Sequence, residues 1–412
     1  MRIDKKIILL TLAAVMGYSV VMAQIVTTPY SKMGYGMLND NVSSIQRSMG
    51  GVGYAMKGGR IINVMNPASY ADVDSLTFLW DVGIDLTNLW SKENDNKGYN
   101  FGAGLDYLTG HFRVAKGLGA SFGLLPYSSV GYAYGGTLDN GGESRSGSGG
   151  LNQLYVGAGY TPLKNLSVGF NFSYLFGTTS NSTVITSSST SYFSRYMKVR
   201  DWNVQLGLQY SLPIKGRDLL TVGATYQPKK SFHGHTWGTR YDSQDSKMDT
   251  VGYTSMSGNY EQPTSIGVGL SYNVNRKLTV EADYTIQQWS DVKYLPIGGY
   301  EPETMQFDDR WKVALGLQYT PNKRGSYVGA MSFRAGAFYN HDYLNFYGNN
   351  VRDYGVSLGV GLPAPGSKTT VNLGVEWRHR ETSPASLITE NYLNITLGVN
   401  FNELWFWKNR IR

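Results

Sequence analysis

The sequence contains no cysteine among its 412 residues, and this absence excludes several classes of protein. A disulfide framework, a thiolate metal site and a catalytic thiol all require cysteine. Attachment to a membrane in the manner of a lipoprotein is excluded for the same reason.

The sequence also has no long apolar run beyond residue 24. A membrane-spanning helix needs roughly 18 such residues, so no helical span is predicted in the mature chain. An apolar run from Ile7 to Met22 stands at the N-terminus, behind three basic residues. Because small residues precede Gln24 at the expected spacing, we predict a cleavable secretory signal over residues 1–23; a membrane anchor is the alternative.

Acidic residues are fewer than basic ones, and the formal net charge is +7. A basic balance can indicate a nucleic-acid partner. Much of the basic charge, however, falls in predicted turns, loops and the C-terminal tail, and the signal predicts export. We therefore predict no nucleic-acid partner.

What the chain does contain is repeated alternation of apolar and polar residues. From Leu393 to Phe401 every second residue is apolar, which gives a strand one apolar and one polar face. The same pattern recurs about fourteen times. The predicted strands are residues 76–86, 99–108, 118–135, 151–161, 164–177, 195–211, 217–228, 262–273, 277–289, 307–320, 327–340, 352–362, 369–380 and 390–402.

Side chains on the apolar face are predicted to point outward, towards lipid. On the fifth, sixth and tenth strands these are Leu166, Val168, Phe170, Phe172 and Tyr174, then Trp202, Val204, Leu206, Leu208 and Tyr210, then Trp311, Val313, Leu315, Leu317 and Tyr319. Their neighbours along the chain are small or polar, which suits a wide, water-filled lumen better than a dry packed core.

The connections between these strands alternate in length. Short turns are predicted at residues 161–164, 213–216, 273–276, 321–326 and 363–367, and long loops at 136–150, 178–194, 229–261, 290–306, 341–351 and 381–389. Outer-membrane barrels keep short turns in the periplasm and long loops outside. We therefore predict an all-β fold, a transmembrane antiparallel β-barrel of about fourteen strands over residues 73–402. Alternation alone would also fit a soluble sandwich.

The placement of aromatic residues favours the barrel. Outward rings are predicted near both ends of the strands, at Tyr107, Tyr160, Tyr210, Tyr272, Tyr319 and Phe401 on one side and at Phe176, Tyr226, Tyr339 and Trp377 on the other. Two such belts are typical of the two headgroup interfaces of a membrane. We expect the outer membrane of a Gram-negative cell, with the N- and C-termini in the periplasm.

Two regions lie outside the alternating pattern. Residues 24–72 are rich in glycine and too few for a secure domain, so we predict a small N-terminal hatch, or plug, inside the lumen. Residues 403–412 form an aromatic and basic tail in the periplasm. We expect this tail to anchor at the membrane interface, with partner docking as the alternative.

The chain resembles the FadL family of outer-membrane channels for long-chain fatty acids and other hydrophobic compounds. The sequence Asn66-Pro67-Ala68, just before the first predicted strand, resembles the family's Asn-Pro-Ala motif. Residues 46–55 resemble its hatch, and residues 263–269 and 311–316 resemble its strands. The opening at residues 28–36 is similar to that of FadL-like proteins of the Bacteroidetes. The family fold is a fourteen-stranded barrel with an N-terminal hatch, which agrees with the strand count.

Two prolines mark candidate sites. Pro67 holds Asn66 extended, so that the Asn66 side chain can bond nearby backbone and close the hatch, as an anchor or as a ligand gate. Pro126 cannot donate to a strand ladder and predicts a break or bulge. In the resembled family a kink in the third strand opens a lateral gap in the wall, which Pro126, Tyr127 and Ser128 would mark here. An ordinary bulge is the alternative.

Several charged residues are predicted to face the lumen: Glu281, Asp283, Lys312, Arg334, Glu376 and Arg378, with Asp81, Asp85 and Asp106 on the same side. They could bind a carboxylate or relay protons. Pairing across the wall and anchoring of the hatch is the interpretation that we favour.

No catalytic residues, metal site or cofactor are predicted. The histidines are dispersed, and His233 with His235 would supply only two metal ligands. The glycines of residues 50–53 lack the strand and helix of a dinucleotide site. We expect the protein not to be an enzyme; a barrel-resident hydrolase is a minor alternative.

The leading functional prediction is passive uptake of a hydrophobic small molecule, with gating by the hatch and lateral exit through the wall. Capture would use rings and apolar side chains of the external loops, namely Trp237, Tyr241, Tyr253, Tyr294, Leu295 and Ile297. The alternative is a non-transporting carrier or scaffold subunit of a secretion or assembly complex. The predicted partners are outer-membrane lipid, the hydrophobic ligand and, under the alternative, secretion or assembly proteins.

Overall fold

Fourteen antiparallel strands close into a barrel in the computed structural model, which describes residues 28–214, 216–244, 247–258, 260–294, 297, 306–322 and 326–404. The first seven barrel strands are β2 (Thr77–Glu93), β3 (Asn96–Ala115), β4 (Leu118–Leu138), β5 (Gly141–Leu163), β6 (Leu166–Thr186), β7 (Thr190–Pro213) and β8 (Leu219–Gln227). The other seven are β13 (Ser265–Val274), β14 (Leu278–Gln287), β15 (Arg310–Tyr319), β16 (Ser332–Phe346), β17 (Asn349–Pro363), β18 (Thr370–Ser383) and β19 (Thr389–Leu404).

The barrel closes by pairing its last strand with its first. β19 runs antiparallel to β2 from Thr389 opposite Lys92 to Leu404 opposite Thr77, and β8 pairs with β13 in the middle of the chain. We call the end where β2 begins and β19 ends the near rim, and the opposite end the far rim. Among the described residues, no helix is long and apolar enough to cross a membrane.

The alternating pattern forms strands because each side chain meets one of two environments. Leu206, Leu208 and Leu315 are about half exposed on the outside of the barrel, whereas Gln209 and Ala314 are buried on the inside. The predicted outward faces of the fifth, sixth and tenth strands are confirmed. All fourteen predicted strands are present, although residues 327–330 form a short helix, α2 (Tyr327–Ala330), instead of the start of a strand.

One predicted outward ring points inward. Tyr107 is 2% exposed and donates a hydrogen bond to Asp81 of the neighbouring strand. The ladder places Gly83 opposite Tyr107 but Ile84 opposite Leu105, so that Asp106 is an extra residue in β3. A bulge of this kind reverses the side-chain parity beyond it, and the prediction for Tyr107 was wrong for that reason.

Most of the predicted long loops are also strands. β4 and β5 pair as far as Leu138 opposite Gly141, and β6 and β7 as far as Thr186 opposite Thr190. Residues 230–262 contain β9 (Lys230–Phe232), β10 (Gly234–Gln244), β11 (Lys247–Ser257) and β12 (Tyr260–Gln262). β10 pairs with the far end of β7, and β11 pairs with β10. The ends of β4–β7 together with β10 and β11 therefore form a sheet beyond the barrel, which we call the far-rim sheet.

The residues before the barrel contain only short elements. They are a 3-10 helix (Pro29–Lys32), β1 (Met37–Leu38), a one-turn helix α1 (Ser44–Arg47) and a second 3-10 helix (Pro67–Asp72). Residues 28–76 are called the N-terminal segment below. Most of their large apolar side chains, among them Tyr30, Tyr35, Met49, Val52 and Tyr70, are almost completely buried.

Candidate functional site: the occupied lumen

The N-terminal segment bonds to the inner wall of the barrel on several sides. The Asp283 carboxylate of β14 accepts hydrogen bonds from the backbone N–H groups of Gly53 (2.6 Å) and Tyr54 (2.9 Å). Three strands away along the wall, Gln209 of β7 donates to the carbonyl oxygen of Tyr54 at 3.0 Å. Ser357 of β17 accepts from the N–H of Gly50 at 2.9 Å. Bonds to several strands of the wall, from β7 round to β17, place the segment inside the barrel.

The Asn66-Pro67-Ala68 motif lies at one of these wall contacts. The Asn66 side chain is fully buried and donates to the carbonyl oxygens of Tyr54 (2.7 Å) and of Leu208 in β7 (3.1 Å). Its oxygen accepts from the N–H of Ala68 and so caps the 3-10 helix that begins at Pro67. Asn66 therefore joins two parts of the segment to the barrel wall, a geometry that suits an anchor.

Glycines in the strands let the segment approach the wall closely. A Cβ atom built on Gly336 would lie 2.1 Å from the backbone nitrogen of Gly50, and one on Gly223 would lie 1.9 Å from the carbonyl oxygen of Tyr54. Side chains at these positions would collide with backbone atoms. The small residues that predicted a water-filled lumen here accommodate the packed backbone of the segment.

A partly buried acid in the segment pairs with two basic residues of β15. The carboxylate of Asp40 accepts hydrogen bonds from Arg310 at 2.8 Å and from Lys312 at 2.6 Å. Burial raises the pKa of Asp40, but the two cations outweigh that effect and hold the pKa well below its usual range. The ion pair therefore stays charged under physiological conditions, and it ties the segment to β15.

The charged residues predicted to face the lumen all do so, in two different roles. Asp283 and Lys312 bind the N-terminal segment. The other four have contacts within the wall: Glu281 accepts from Ser271, Arg334 donates to Gln318 and Asn372, and Glu376 accepts from Arg378 and Asn394. Asp106 pairs with Arg47 of α1 at 2.7 Å. Polar partners inside the protein thus account for most of these charges.

Aromatic residues fill the lumen near the far rim. Tyr35 packs against Phe232 and Trp289, with ring centroids 5.8 and 5.5 Å apart, and Trp289 stacks on Tyr343 at 4.4 Å. Tyr260, Tyr294 and Phe307 complete the group, which we call the aromatic cap. These side chains are all less than 10% exposed.

The predicted capture residues are divided between this cap and the surface. Tyr294 and Ile297 are buried, so they offer no open surface for a ligand, and their assignment to an exposed loop was wrong. Trp237 and Tyr241 are half-buried in β10, and Tyr253 is exposed in β11. Leu295 lies outside the described residues.

One cavity between the N-terminal segment and the wall is small and polar. It has a volume of ≈ 90 Å³ and is lined by residues that include Asp40, Tyr54, Gln205, Asp283 and Arg310. Sites for drug-sized apolar ligands typically measure about 300–1,000 Å³ and are largely apolar. This cavity is suited to a few water molecules rather than to a hydrophobic cargo.

The wall is not paired along its full height between β3 and β4. Their ladder ends with Leu108 opposite Leu124, and from there to the far rim the described part of β3 pairs with β2 while β4 pairs with β5. The predicted irregularity at Pro126 is a bulge, since Pro126 pairs with Asn152 and Ser128 with Leu151. We call this interval between β3 and β4 the seam.

The N-terminal segment covers the inner side of the seam. β1 pairs with Ser128 and Ser129 of β4, and the N–H of Asn39 donates to the carbonyl oxygen of Tyr127 at 3.0 Å. Ser31 donates to the carbonyl oxygen of Gly131 at 2.9 Å. Of the three residues predicted to mark a lateral opening, Tyr127 and Ser128 thus contact the segment.

Some important residues were missed by the sequence analysis. Arg310, Asp353, Arg380 and Glu390 are buried charges and Asp40 is a partly buried one. Several of their partners are far away in the sequence; Thr28 donates to Glu390 at 2.7 Å, for example. No local motif signals such pairs. The predicted signal, residues 1–23, and most of the tail lie outside the described residues, although Glu403 and Leu404 belong to β19.

Known structures share this architecture. The toluene transporter TodX of Pseudomonas putida is 16% identical with a TM-score of 0.63, covering 90% of this chain and 100% of that one. The Ralstonia pickettii toluene transporter TbuX is 16% identical with a TM-score of 0.58, covering 88% and 98%. A Pseudomonas aeruginosa FadL homologue is 11% identical with a TM-score of 0.61, covering 89% and 99%. No curated protein sequence matches the chain significantly.

The protein is thus a fourteen-stranded β-barrel with the fold of the FadL-type channels, its lumen occupied by its own N-terminal segment. Within this class, the chain belongs to the BamG family, whose model matches residues 3–412.

Proposed function

We propose that the protein is a non-transporting subunit of an outer-membrane assembly complex, with a lumen that stays filled. The observation that carries this proposal is the attachment of the N-terminal segment to several strands of the wall, from β7 round to β17, by buried hydrogen bonds and the Asp40 ion pairs. Membership of the BamG family supports it, because the family's name points to an assembly complex.

The contacts inside the barrel agree with this function. A hydrophobic cargo would need an apolar path from the far rim to the near rim. The described residues instead place the aromatic cap near one end and polar bonds below it, with ≈ 90 Å³ of polar space between segment and wall. Opening a path would require breaking several buried polar contacts, each of which costs about 1–3 kcal/mol when a partner is left unsatisfied.

The proposed orientation puts the near rim in the periplasm and the far rim outside the cell. Most hairpins at the near rim are short, as in other outer-membrane barrels, with residues 320–331 as a longer exception. At the far rim, β4–β7 extend beyond the barrel. The far-rim sheet would then lie at the cell surface, and the near rim would face partners in the periplasm.

Purification of the full-length protein from native membranes in mild detergent tests the proposal. We expect other subunits of a barrel-assembly complex to co-purify in constant stoichiometry, and depletion of the protein to lower the amounts of folded barrel proteins in the outer membrane. Recovery of the protein alone, with normal barrel assembly after depletion, would contradict the proposal.

Passive uptake of a hydrophobic small molecule is the second candidate, and the seam favours it. Unpaired wall between β3 and β4 is where an apolar ligand could leave towards lipid, and the fold is that of channels for hydrocarbons. The test is entry of a radiolabelled fatty acid or monoaromatic hydrocarbon into cells with and without the protein. Uptake that depends on the protein would support a channel, and equal uptake would speak against one.

A further inference from the structure

The outward face of the far-rim sheet differs from the lipid-facing wall below it. On β7, the side chains outward of the barrel continue past Trp202 to Arg200, Lys198, Tyr196, Ser194 and Tyr192 without a break in parity, because the β6–β7 ladder has no register shift. The inward side chains on the same stretch, Arg195, Met197 and Val199, are at most 2% exposed. One face is therefore packed against the protein and the other is open.

Along β7 the chemistry of the outward face changes in a fixed order. Leu208, Leu206 and Val204 are apolar, and Trp202 follows at the level where an aromatic belt meets headgroups. Arg200 and Lys198 come next, each step of two residues advancing roughly 7 Å along the strand. Rings and hydroxyls lie beyond them. The order runs from apolar to aromatic, then cationic, then ring and hydroxyl.

The outermost zone combines a row of rings with many small hydroxyls. Tyr196 of β7 stacks on Trp237 of β10 with centroids 5.2 Å apart and planes at 18°, and His235 stacks on the same indole. Tyr192 pairs with Tyr241, and Tyr253 lies opposite Thr239 on β11. The neighbouring outward positions hold Ser144, Ser146, Ser148, Ser180, Ser182, Ser194, Ser255 and Ser257.

We propose that this face, from Arg200 to Tyr192 on β7 and across to β10, binds the phosphorylated sugar headgroup of the outer-leaflet glycolipid. The cations match the level of glycolipid phosphates, which arginine and lysine bind well. Tyr and Trp rings stack on the apolar faces of sugars, and serine hydroxyls can exchange hydrogen bonds with sugar hydroxyls. The proposal rests on the proposed orientation, with the far rim outside the cell.

Two features favour a glycolipid over a protein on this face. The face continues directly from the lipid-facing wall, so a glycolipid whose acyl chains lie against Leu206 and Val204 would place its headgroup here. The rings and the arginine of this face also occur in protein–protein interfaces, but serine, its commonest residue, is depleted there. The remaining alternative is a face that contacts only water. Such a face would need neither the cations next to the aromatic belt at Trp202 nor the stacked rings.

Two double variants of the delipidated full-length protein test the proposal. Each is offered two forms of lipopolysaccharide. One form carries a complete sugar core, and the other has only the phosphorylated disaccharide with its acyl chains. Binding is measured by native mass spectrometry. We expect Lys198→Gln with Arg200→Gln to weaken both ligands by about tenfold or more. Tyr196→Ser with Trp237→Ser should weaken only the ligand with the complete core.

The matched control is Lys97→Gln with Tyr99→Ser, a cation and a ring exposed on β3 at the far rim but away from this face. The proposal would be overturned if both test variants bound lipopolysaccharide with wild-type affinity, or if the control lost as much affinity as they do. A protein partner that occupies the face in place of glycolipid would also overturn it. The assay uses isolated protein, so its result is independent of whether assembly subunits co-purify. Labelling of Ser146→Cys on intact cells checks the orientation separately.

Discussion

The two parts of the N-terminal segment are held in the barrel by different combinations of polar and aromatic contacts. Residues 40–72 are fixed by polar contacts, such as Asn66 to Leu208 and Asp283 to Gly53, and by backbone that fits against wall glycines. Residues 28–38 also bond to the wall, as Ser31 does to Gly131, but they lie near the far rim, where Tyr35 is enclosed by the aromatic cap. Directed hydrogen bonds fix one register of a backbone, whereas packed rings exclude water without fixing it as strictly. The inner part is an anchor and the outer part a seal.

The largest effect is expected where the inner part touches the wall through backbone. Gly336→Val would place a side chain within 2.1 Å of the Gly50 nitrogen, and neither strand nor segment can move away without breaking its ladder or its bonds. We expect loss of the heat-resistant folded form on semi-native electrophoresis. Gly136→Val in β4, where a Cβ atom would meet nothing within 4 Å, is the control and should fold normally.

Removal of a ring from the aromatic cap should destabilise strongly but locally. Trp289→Ala leaves a cavity beside Tyr35 and Tyr343, and the expected cost is about 3–5 kcal/mol in the free energy of unfolding. A cysteine placed at Ser31 should then react faster with a thiol reagent, while one at Ser44 should not. Trp90→Ala, on the exposed outer wall, is the control. Equal exposure of both cysteines would mean that anchor and seal are one unit.

Removal of the Asn66 side chain should reverse the order in which the cysteines at Ser31 and Ser44 become reactive. Asn66→Ala leaves the carbonyl oxygens of Tyr54 and Leu208 without this donor and removes a helix cap, at a cost of about 2–3 kcal/mol. The cysteine at Ser44 should become reactive before the one at Ser31. Asn96→Ala, exposed in the β2–β3 hairpin, should change neither rate. Faster reaction at Ser31 alone would contradict the division between anchor and seal.

The smallest effect is expected at an exposed ion pair of the segment. Arg60 lies 3.1 Å from Asp74, but the side chains are 58% and 44% exposed. Such pairs contribute about 0–1 kcal/mol, so Arg60→Ala should leave the unfolding free energy nearly unchanged. A loss of several kcal/mol in chemical denaturation would show that contacts at the near rim matter more than burial indicates.

The barrel could be predicted from the sequence because each strand face meets a single environment over its whole length. The prediction failed where that rule is interrupted: the bulge at Asp106 turns Tyr107 inward, and no residue pattern announces it. Residues 178–194 were predicted as a loop from their serines, yet they form strands because neighbouring strands complete their hydrogen bonds.

The site was less predictable than the fold. Parity identified Asp283 and Lys312 as lumen residues, but their partners Gly53 and Asp40 lie more than 200 positions earlier in the chain. Which charges hold the segment, and which pair within the wall, follows from the packing of a segment that has no regular pattern. Asn66 was recognised only through its motif and its place before the first strand.

A disulfide between segment and wall tests most directly whether the lumen stays filled. A Cβ atom on Gly374 of β18 would lie 3.8 Å from the Cβ of Ser48, within the range that disulfides adopt, and the chain has no cysteine of its own to interfere. The account predicts that oxidised Ser48→Cys with Gly374→Cys supports barrel assembly as well as the reduced form and the two single variants do. Loss of function on oxidation, restored by a reductant, would contradict it, because the segment would then have to leave the wall for the protein to work.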